Sequence, residues 1–263
     1  MILGHADPYA VSLYHASIAD SICCRIIDLC LKETGKPPCR FAFIHTGSAG
    51  RREQTFLTDQ DNGIIFEEIP EERLNEVSGY FISLGRRINE MLDTAGYKLC
   101  PGGNMAGNPE WCKSLSEWKN YFSTWIKIPG PDEIMKTSIF FDFRHCYGEP
   151  GLVDDLRNHV RNNLRTNDIY FHHMALAWKQ FMPSASLISS GNTNIKKLLM
   201  PLTGLIRLYA LKHGLSGVST PERITELYSG KYLDLVLLRK ILEAWKDLSS
   251  IRFSHQASCI LKE

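Results

Sequence analysis

The stretch Phe41-Ala-Phe-Ile-His-Thr-Gly-Ser-Ala-Gly-Arg-Arg-Glu-Gln-Thr-Phe-Leu-Thr-Asp-Gln-Asp-Asn-Gly-Ile-Ile-Phe66 decides the fold of the first half of the chain. It begins and ends with short, continuously apolar runs, which are typical of strands buried on both faces. Between the two runs lie a glycine-bearing turn at residues 47–50 and an Asp-x-Asp pair, Asp59 and Asp61. The stretch therefore predicts a strand, a turn and a second strand, with polar chemistry beside the turn.

Helices are predicted on both sides of this centre. Asp7 before Pro8 is a typical helix start, and Gly35 ends that helix. Its predicted apolar stripe consists of Ile18, Ile22, Ile26 and Leu29. Helical periodicity returns at residues 71–94, and a third strand is predicted at Ser138–Phe143. Beyond Pro150 the pattern is helical to the end, which predicts an α/β half at residues 1–149 and a helical half at residues 150–263.

The composition limits the class of protein. The chain has 263 residues, of which 44% are hydrophobic and 22% charged, so a disordered or low-complexity chain is excluded. The net charge of +1 shows no basic excess, which argues against long nucleic acid as a partner. No run is long enough to cross a membrane and no signal peptide is evident, so a cytoplasmic location is expected. The eight cysteines include no Cys-x-x-Cys pair; reduced core cysteines are therefore a better interpretation than a structural zinc site.

The turn and the Asp-x-Asp pair predict a site for phosphate and a divalent cation. The backbone at Gly47 and Ser48 offers N–H donors to phosphate oxygens, and Arg51 can add a guanidinium. Side chains two residues apart in a strand share a face, so Asp59 and Asp61 are predicted to lie together. Two adjacent carboxylates repel each other, and a divalent cation removes that penalty. Magnesium suits carboxylate oxygens together with phosphate and water, and manganese is the alternative.

A third carboxylate, Asp142, lies within an otherwise apolar run and is predicted to be buried. A buried carboxylate without a partner costs several kcal/mol, so something must pair with it. The sequence leaves two partners open: Arg144, two residues on, or a metal shared with Asp59 and Asp61. Three aspartates around two cations could clamp both the attacking and the leaving oxygen in a displacement at phosphorus.

These residues carry a resemblance. Gly47-Ser48 followed by Asp59-x-Asp61 resembles the signature of the polymerase β-type nucleotidyltransferase superfamily. Residues 47–54, Gly-Ser-Ala-Gly-Arg-Arg-Glu-Gln, together with residues 58–62, Thr-Asp-Gln-Asp-Asn, are similar to a nucleotidyltransferase family. That family is related to PII-protein uridylyltransferases and glutamine-synthetase adenylyltransferases. Members of this family are often fused to cyclic-nucleotide-binding and CBS domains. Later segments agree with the resemblance: Cys100–Met105, Phe141–Arg144, Arg207–Leu211, Ser219–Arg223 and His255-Gln256.

The resemblance implies an α+β fold, with a small mixed sheet flanked by helices and followed by a helical substrate-binding domain. It implies that Gly47 and Ser48 hold the triphosphate and that Asp59 and Asp61 bind magnesium. It also implies that Asp142 completes the metal site and acts on the acceptor hydroxyl. Phosphate contacts would come from Arg51, with Arg144 as a further candidate.

The expected activity is transfer of a nucleoside monophosphate from an NTP to an acceptor hydroxyl, with release of pyrophosphate. By analogy with the uridylyl- and adenylyltransferases, the expected acceptor is a protein. Two alternatives stay open: a small-molecule or nucleotide acceptor, and a nucleotide-sensing module without turnover. The base preference and the oligomeric state are also left open.

Overall fold

A computed structural model describes residues 6–127, 136–137, 139–182 and 195–262. Its centre is a four-stranded mixed sheet made of β1 (Phe41–His45), β2 (Asn62–Phe66), β3 (Cys112–Ser114) and β4 (Arg144–Gly148). The strand order is β3-β2-β1-β4; β1 is antiparallel to β2 and β4, and β2 is parallel to β3. Every residue of β1 and β2 is buried, as the two apolar runs predict.

The helices named here in the half of the chain that contains the sheet are α1 (Pro8–Thr34), α2 (Gly47–Gly50), α3 (Leu74–Thr94) and α4 (Leu115–Lys127). The Asp7 side chain accepts a hydrogen bond from Tyr9 N at the start of α1, which confirms the predicted cap. A 3-10 turn, Glu71–Arg73, precedes α3, whose apolar face is buried as its periodicity predicts. These helices enclose the sheet and leave the ends of β1 and β2 facing the second half of the chain.

In the described residues after β4, all regular elements are helices: α5 (Pro150–Leu164), α6 (Asp168–Gln180), α7 (Ile195–Lys212), α8 (Thr220–Ser229) and α9 (Leu235–Ile260). Helix α8 begins with a capping box between Ser219 and Glu222, which fixes its start. The α+β fold with a helical second half is therefore as expected. No helix in the described ranges is both long and apolar enough to cross a bilayer.

Two hydrophobic clusters flank the sheet. One contains apolar residues of α1 and α3 together with Phe43 and Phe66. The other joins Ile44 and Ile65 to α4, α5 and α6, and it includes Trp111, Trp118 and Trp125. All three tryptophans are buried and are therefore core residues.

The predicted strand at residues 138–143 is wrong. Ser138 lies outside the described residues, residues 139 and 140 are helical, and Asp142 is in a bend before β4. The aromatic side chains of this segment pack in different directions: Phe140 stacks on Trp111, with centroids 4.0 Å apart, and Phe141 stacks on Tyr170 at 5.9 Å. An apolar run shows burial, but it does not by itself separate a strand from an irregular buried segment.

The predicted stripe of α1 is also displaced. Ile18 is exposed, and the buried face consists largely of small residues. Ile26 of the predicted stripe is buried, and the small side chains on the rest of this face let the helix approach its neighbours closely. The short strand β3 had no signal in the sequence.

Candidate functional site

The turn after β1 and the start of β2 lie against each other. Thr46 N donates to Asp61 O at 3.0 Å, which joins the two segments directly. Gly47 has a φ of +58°, and a Cβ at this position would lie 2.9 Å from Asp61 Oδ2. Glycine is therefore needed at residue 47 both for the backbone conformation and for the approach of the carboxylate.

The side chains of residues 59–62 point alternately into the cavity and into the core. Gln60 and Asn62 are buried, whereas Asp59 and Asp61 are partly exposed and line a cavity. Asn89 of α3 holds the buried side of the segment: its Nδ2 donates to Gln60 Oε1 at 2.8 Å and to Asn62 Oδ1 at 3.0 Å. This buried amide network fixes the backbone whose outward side chains are the two aspartates.

The cavity has a volume of about 460 Å³ and lies between the two halves of the chain. That volume is within the range of small-molecule sites. The first half contributes Gly47, Ser48, Arg51, Asp59, Asp61 and residues from the loop after α3, including Cys100, Gly102 and Asn104. The helical half contributes Trp178, Lys196, Arg207, Trp245, Arg252 and Phe253.

The two aspartates have the character of a cation site. Burial, and then the neighbouring Asp59 carboxylate, raise the pKa of Asp61 to about 7. Both side chains offer hard oxygen ligands, which suit magnesium or manganese better than a soft metal. The donor set therefore fits the divalent cation that the resemblance implies.

Asp142 lies elsewhere. Its side chain is fully buried and is not among the residues that line the cavity. Three guanidinium groups lie 2.7 Å from its oxygens: those of Arg51, Arg207 and Arg223. Burial alone would raise the pKa of Asp142, but these arginines lower it well below its ordinary value. The structure thus pairs this carboxylate with arginines, and the role that the resemblance implies for Asp142, as a metal ligand that acts on the acceptor hydroxyl, stays a prediction.

Both arginines that the resemblance implies as phosphate ligands have carboxylate partners in the structure. Arg144 does not pair with Asp142; its Nη1 and Nη2 donate to the two oxygens of Asp20 at 2.8 and 2.9 Å. A residue two positions away was a reasonable partner on a strand, but Asp142 precedes the strand that contains Arg144. Arg51 does line the cavity, yet its guanidinium also donates to Glu53 and Asp142. As phosphate ligands, both arginines stay predictions.

Other residues of the site carry weaker sequence signals. Lys196 and Arg207 line the cavity, although cationic residues of a helix more commonly lie on its solvated face. Burial, and then the charge of Arg51, lower the pKa of Arg252, which marks a concentration of positive charge on this side. Neither Arg252 nor Asn89 was singled out from the sequence. Their roles depend on helix packing, which a local motif does not report.

Comparison with known proteins assigns the family. Residues 1–132 match the model described as "Putative nucleotidyltransferase DUF294". Residues 161–263 match its companion, the "Putative nucleotidyltransferase substrate binding domain". The segment 133–160, which includes Asp142 and β4, lies in neither match, so the predicted division at residue 149 stays a prediction. A search of curated proteins returned no match. The chain belongs to this family of nucleotidyltransferases, with its substrate-binding domain.

Proposed function

We propose that the protein transfers a nucleoside monophosphate from an NTP to an acceptor hydroxyl and releases pyrophosphate, with magnesium held by Asp59 and Asp61. One observation carries this proposal. The two aspartates lie beside the Gly47–Ser48 turn in a cavity whose other wall presents cationic side chains. A triphosphate with its cation needs this combination of carboxylates, close backbone and positive charge.

Different residues of the cavity bind the phosphate oxygens and the cation. The close backbone at Gly47 and the hydroxyl of Ser48 hold phosphate oxygens. Lys196 and Arg252 reach the cavity from the helical half and balance the negative charge of the triphosphate. Asp59 and Asp61 would hold the cation, which supplies charge neutralisation at the reacting phosphate when bound.

Asp142 acts as a positioning residue in this proposal. It binds Arg51 of the turn together with Arg207 and Arg223 of the helical half. Two of these arginines, Arg51 and Arg207, also line the cavity. The buried carboxylate therefore sets where positive charge stands against the nucleotide, without touching the reacting atoms.

The proposed acceptor is a cytoplasmic protein, as in the PII-type uridylyltransferases that the sequence resembles. Support comes from the helical half, which matches a substrate-binding family and forms one wall of the cavity. This wall combines the aromatic side chains of Trp178, Trp245 and Phe253 with charged groups. Such a wall can accept both a base and part of an acceptor.

Thermal unfolding tests the binding step. Magnesium with an NTP should raise the melting temperature, since a ligand at a hundred times its Kd stabilises the native state by about 2.7 kcal/mol. The double variant Asp59→Asn with Asp61→Asn should lose the rise. Asp154→Asn, which changes an exposed carboxylate on α5, should keep it. If none of the four NTPs raises the melting temperature of the unmodified protein, the proposed site is refuted.

Transfer itself is tested with NTPs that carry a labelled α-phosphate, added to the protein in a cell lysate. A labelled band of defined size would support a protein acceptor, and loss of that band in the double variant would tie it to the site. Label in a small molecule would instead support the alternative acceptor.

A second candidate function is nucleotide sensing without turnover. The observation that favours it is the engagement of Asp142 with three arginines, which leaves two cavity-lining aspartates rather than three. Stabilisation by magnesium and NTP without any labelled product would select this function over transfer.

A further inference from the structure

Three metal-ligating side chains from separate segments meet beside the phosphate turn. Cys23 comes from α1, His45 is the last residue of β1, and Cys146 lies in β4. One ligand atom from each lies within 4.8 Å of the other two. Among the described residues, this is the group of His, Cys, Asp and Glu side chains that meets the geometry of a metal site.

We propose that Cys23, His45 and Cys146 form a site for a soft divalent cation, zinc above all. Two thiolates and an imidazole match zinc, whereas the oxygen ligands at Asp59 and Asp61 match magnesium. Zinc–sulfur and zinc–nitrogen bonds are about 2.3 and 2.0–2.1 Å long, so ligands around a tetrahedral zinc lie roughly 3.5–3.8 Å apart. Donors within 4.8 Å of each other would need to close by only about 1 Å.

The imidazole of His45 gives an independent reason. The residue is 7% exposed, and its Nε2 makes no hydrogen bond within the described part of the chain. That atom has only a 3.3 Å ion-pair contact with Asp20 Oδ1, and both Asp20 oxygens are already bound by Arg144. This ring nitrogen therefore shares Asp20 with the guanidinium of Arg144, and coordination of a metal would give it a partner of its own.

The surroundings of the three ligand side chains are consistent with a bound metal. Cys146 is only partly buried, which leaves a route of entry from solvent. Water would take the fourth tetrahedral position. On binding, the thiols of Cys23 and Cys146 each lose a proton to solvent, and so does the imidazolium of His45, whose pKa is raised to about 9; no oxidant is required.

The position of the cluster gives the metal a structural effect. It would tie α1 and β4 to the last residue of β1, which directly precedes Thr46 and Gly47. A cavity of about 20 Å³ is lined by Cys23 and His45 and also by Asp59 and Asp61. The metal would therefore stiffen the base of the turn without entering the nucleotide cavity.

The experiment is a cobalt titration of the reduced, metal-free, full-length protein. We expect one Co²⁺ per chain, with a thiolate-to-cobalt charge-transfer band and tetrahedral d–d bands, both displaced by zinc. Cys23→Ser and Cys146→Ser should each lose most of the charge-transfer intensity, and His45→Gln should lose the tetrahedral bands. Cys112→Ser, which removes a buried thiol outside the cluster, is the matched control and should keep both.

A second readout guards against variants that fail to fold. Zinc should raise the melting temperature of the unmodified protein and of Cys112→Ser, but not of Cys23→Ser with Cys146→Ser. The proposal is overturned if the reduced protein takes up no Co²⁺ with thiolate bands, or if the bands survive in the double variant. It is also overturned if thiol counting shows Cys23 and Cys146 joined as a disulfide in the protein as isolated. No nucleotide is present, so this result is independent of the proposed transferase activity.

Discussion

Two groups of carboxylates in this protein contrast sharply. Asp142 is fully buried and has three guanidinium partners at 2.7 Å. Asp59 and Asp61 are partly exposed, and burial together with their mutual repulsion raises the pKa of Asp61 to about 7. The first group stabilises the apoprotein, whereas the second leaves electrostatic repulsion in place. Repulsion that a bound cation would relieve is typical of a functional site, and full compensation is typical of a structural one.

The largest expected loss of stability comes from removing the negative charge of Asp142. Asp142→Asn leaves three buried arginines with too few carboxylates, so the free energy of unfolding should fall by about 3–5 kcal/mol. Urea denaturation measures it. Asp154→Asn is the control, because its 3.4 Å pair with Arg157 is exposed and its loss should cost at most about 0.5 kcal/mol. If the two substitutions lowered the free energy of unfolding equally, the three arginines would not make Asp142 more important to stability than an exposed aspartate.

The pH dependence of the same variant sharpens this prediction. The pKa of Asp142 is lowered in the folded protein, so its stabilising contribution is present above the unfolded pKa of about 3.9 and is lost as pH falls further. The stability difference between the unmodified protein and Asp142→Asn should therefore shrink as the solution is acidified below about pH 4. A difference that stays constant with pH would show that folding leaves the pKa of this carboxyl group unchanged, which would contradict the prediction.

An intermediate loss of stability is expected when the buried amide network that supports Asp59 and Asp61 is removed. Asn89→Leu removes the donor to Gln60 and Asn62 and the acceptor for Gly107 N, which leaves buried polar groups unpaired. The free energy of unfolding should fall by about 1–3 kcal/mol, measured by urea denaturation. Asn120→Leu, at an exposed position of α4, should change it by less than about 0.5 kcal/mol. If Asn89→Leu matched its control, the amide network would not be what supports Asp59 and Asp61.

The smallest expected effect has the opposite sign. Because the pKa of Asp61 is raised to about 7, the folded apoprotein loses stability as pH rises from about 4 to about 7, and the loss stops above that. Asp61→Asn removes the loss, so the variant should be more stable than the unmodified protein near pH 8, by about 1 kcal/mol after allowance for solvent screening. Chemical denaturation at several pH values measures the gain. A variant that is destabilised at every pH would contradict the picture of a repulsive pair.

Local signals in the sequence predicted the parts of the fold that depend on neighbours along the chain. The Asp7 cap, the two buried strands and the approach of Asp61 to the glycine turn all follow from residues within one short segment. The strand assigned to residues 138–143 failed because its apolar residues are buried for another reason, aromatic packing onto α4 and α6.

The partners of Asp142 could not be read from the sequence. Arg207 and Arg223 lie on α7 and α8, and only the docking of these helices brings them to the carboxylate. The nearer residue, Arg144, has a different partner on α1. The same limit applies to Cys23, His45 and Cys146, whose spacing along the chain resembles no known ligand pattern.

The ion pairs of Asp142 affect how the two halves of the chain would behave as separate fragments. A fragment of residues 1–149 would keep this carboxylate with Arg51, and the remaining fragment would contain Arg207 and Arg223 without the carboxylate of Asp142. We therefore expect neither fragment to be well folded when it is produced alone, and co-expression of the two to recover a soluble complex. Asp142 would then be one of the residues through which each half depends on the other for its stability, together with the hydrophobic cluster that both halves share.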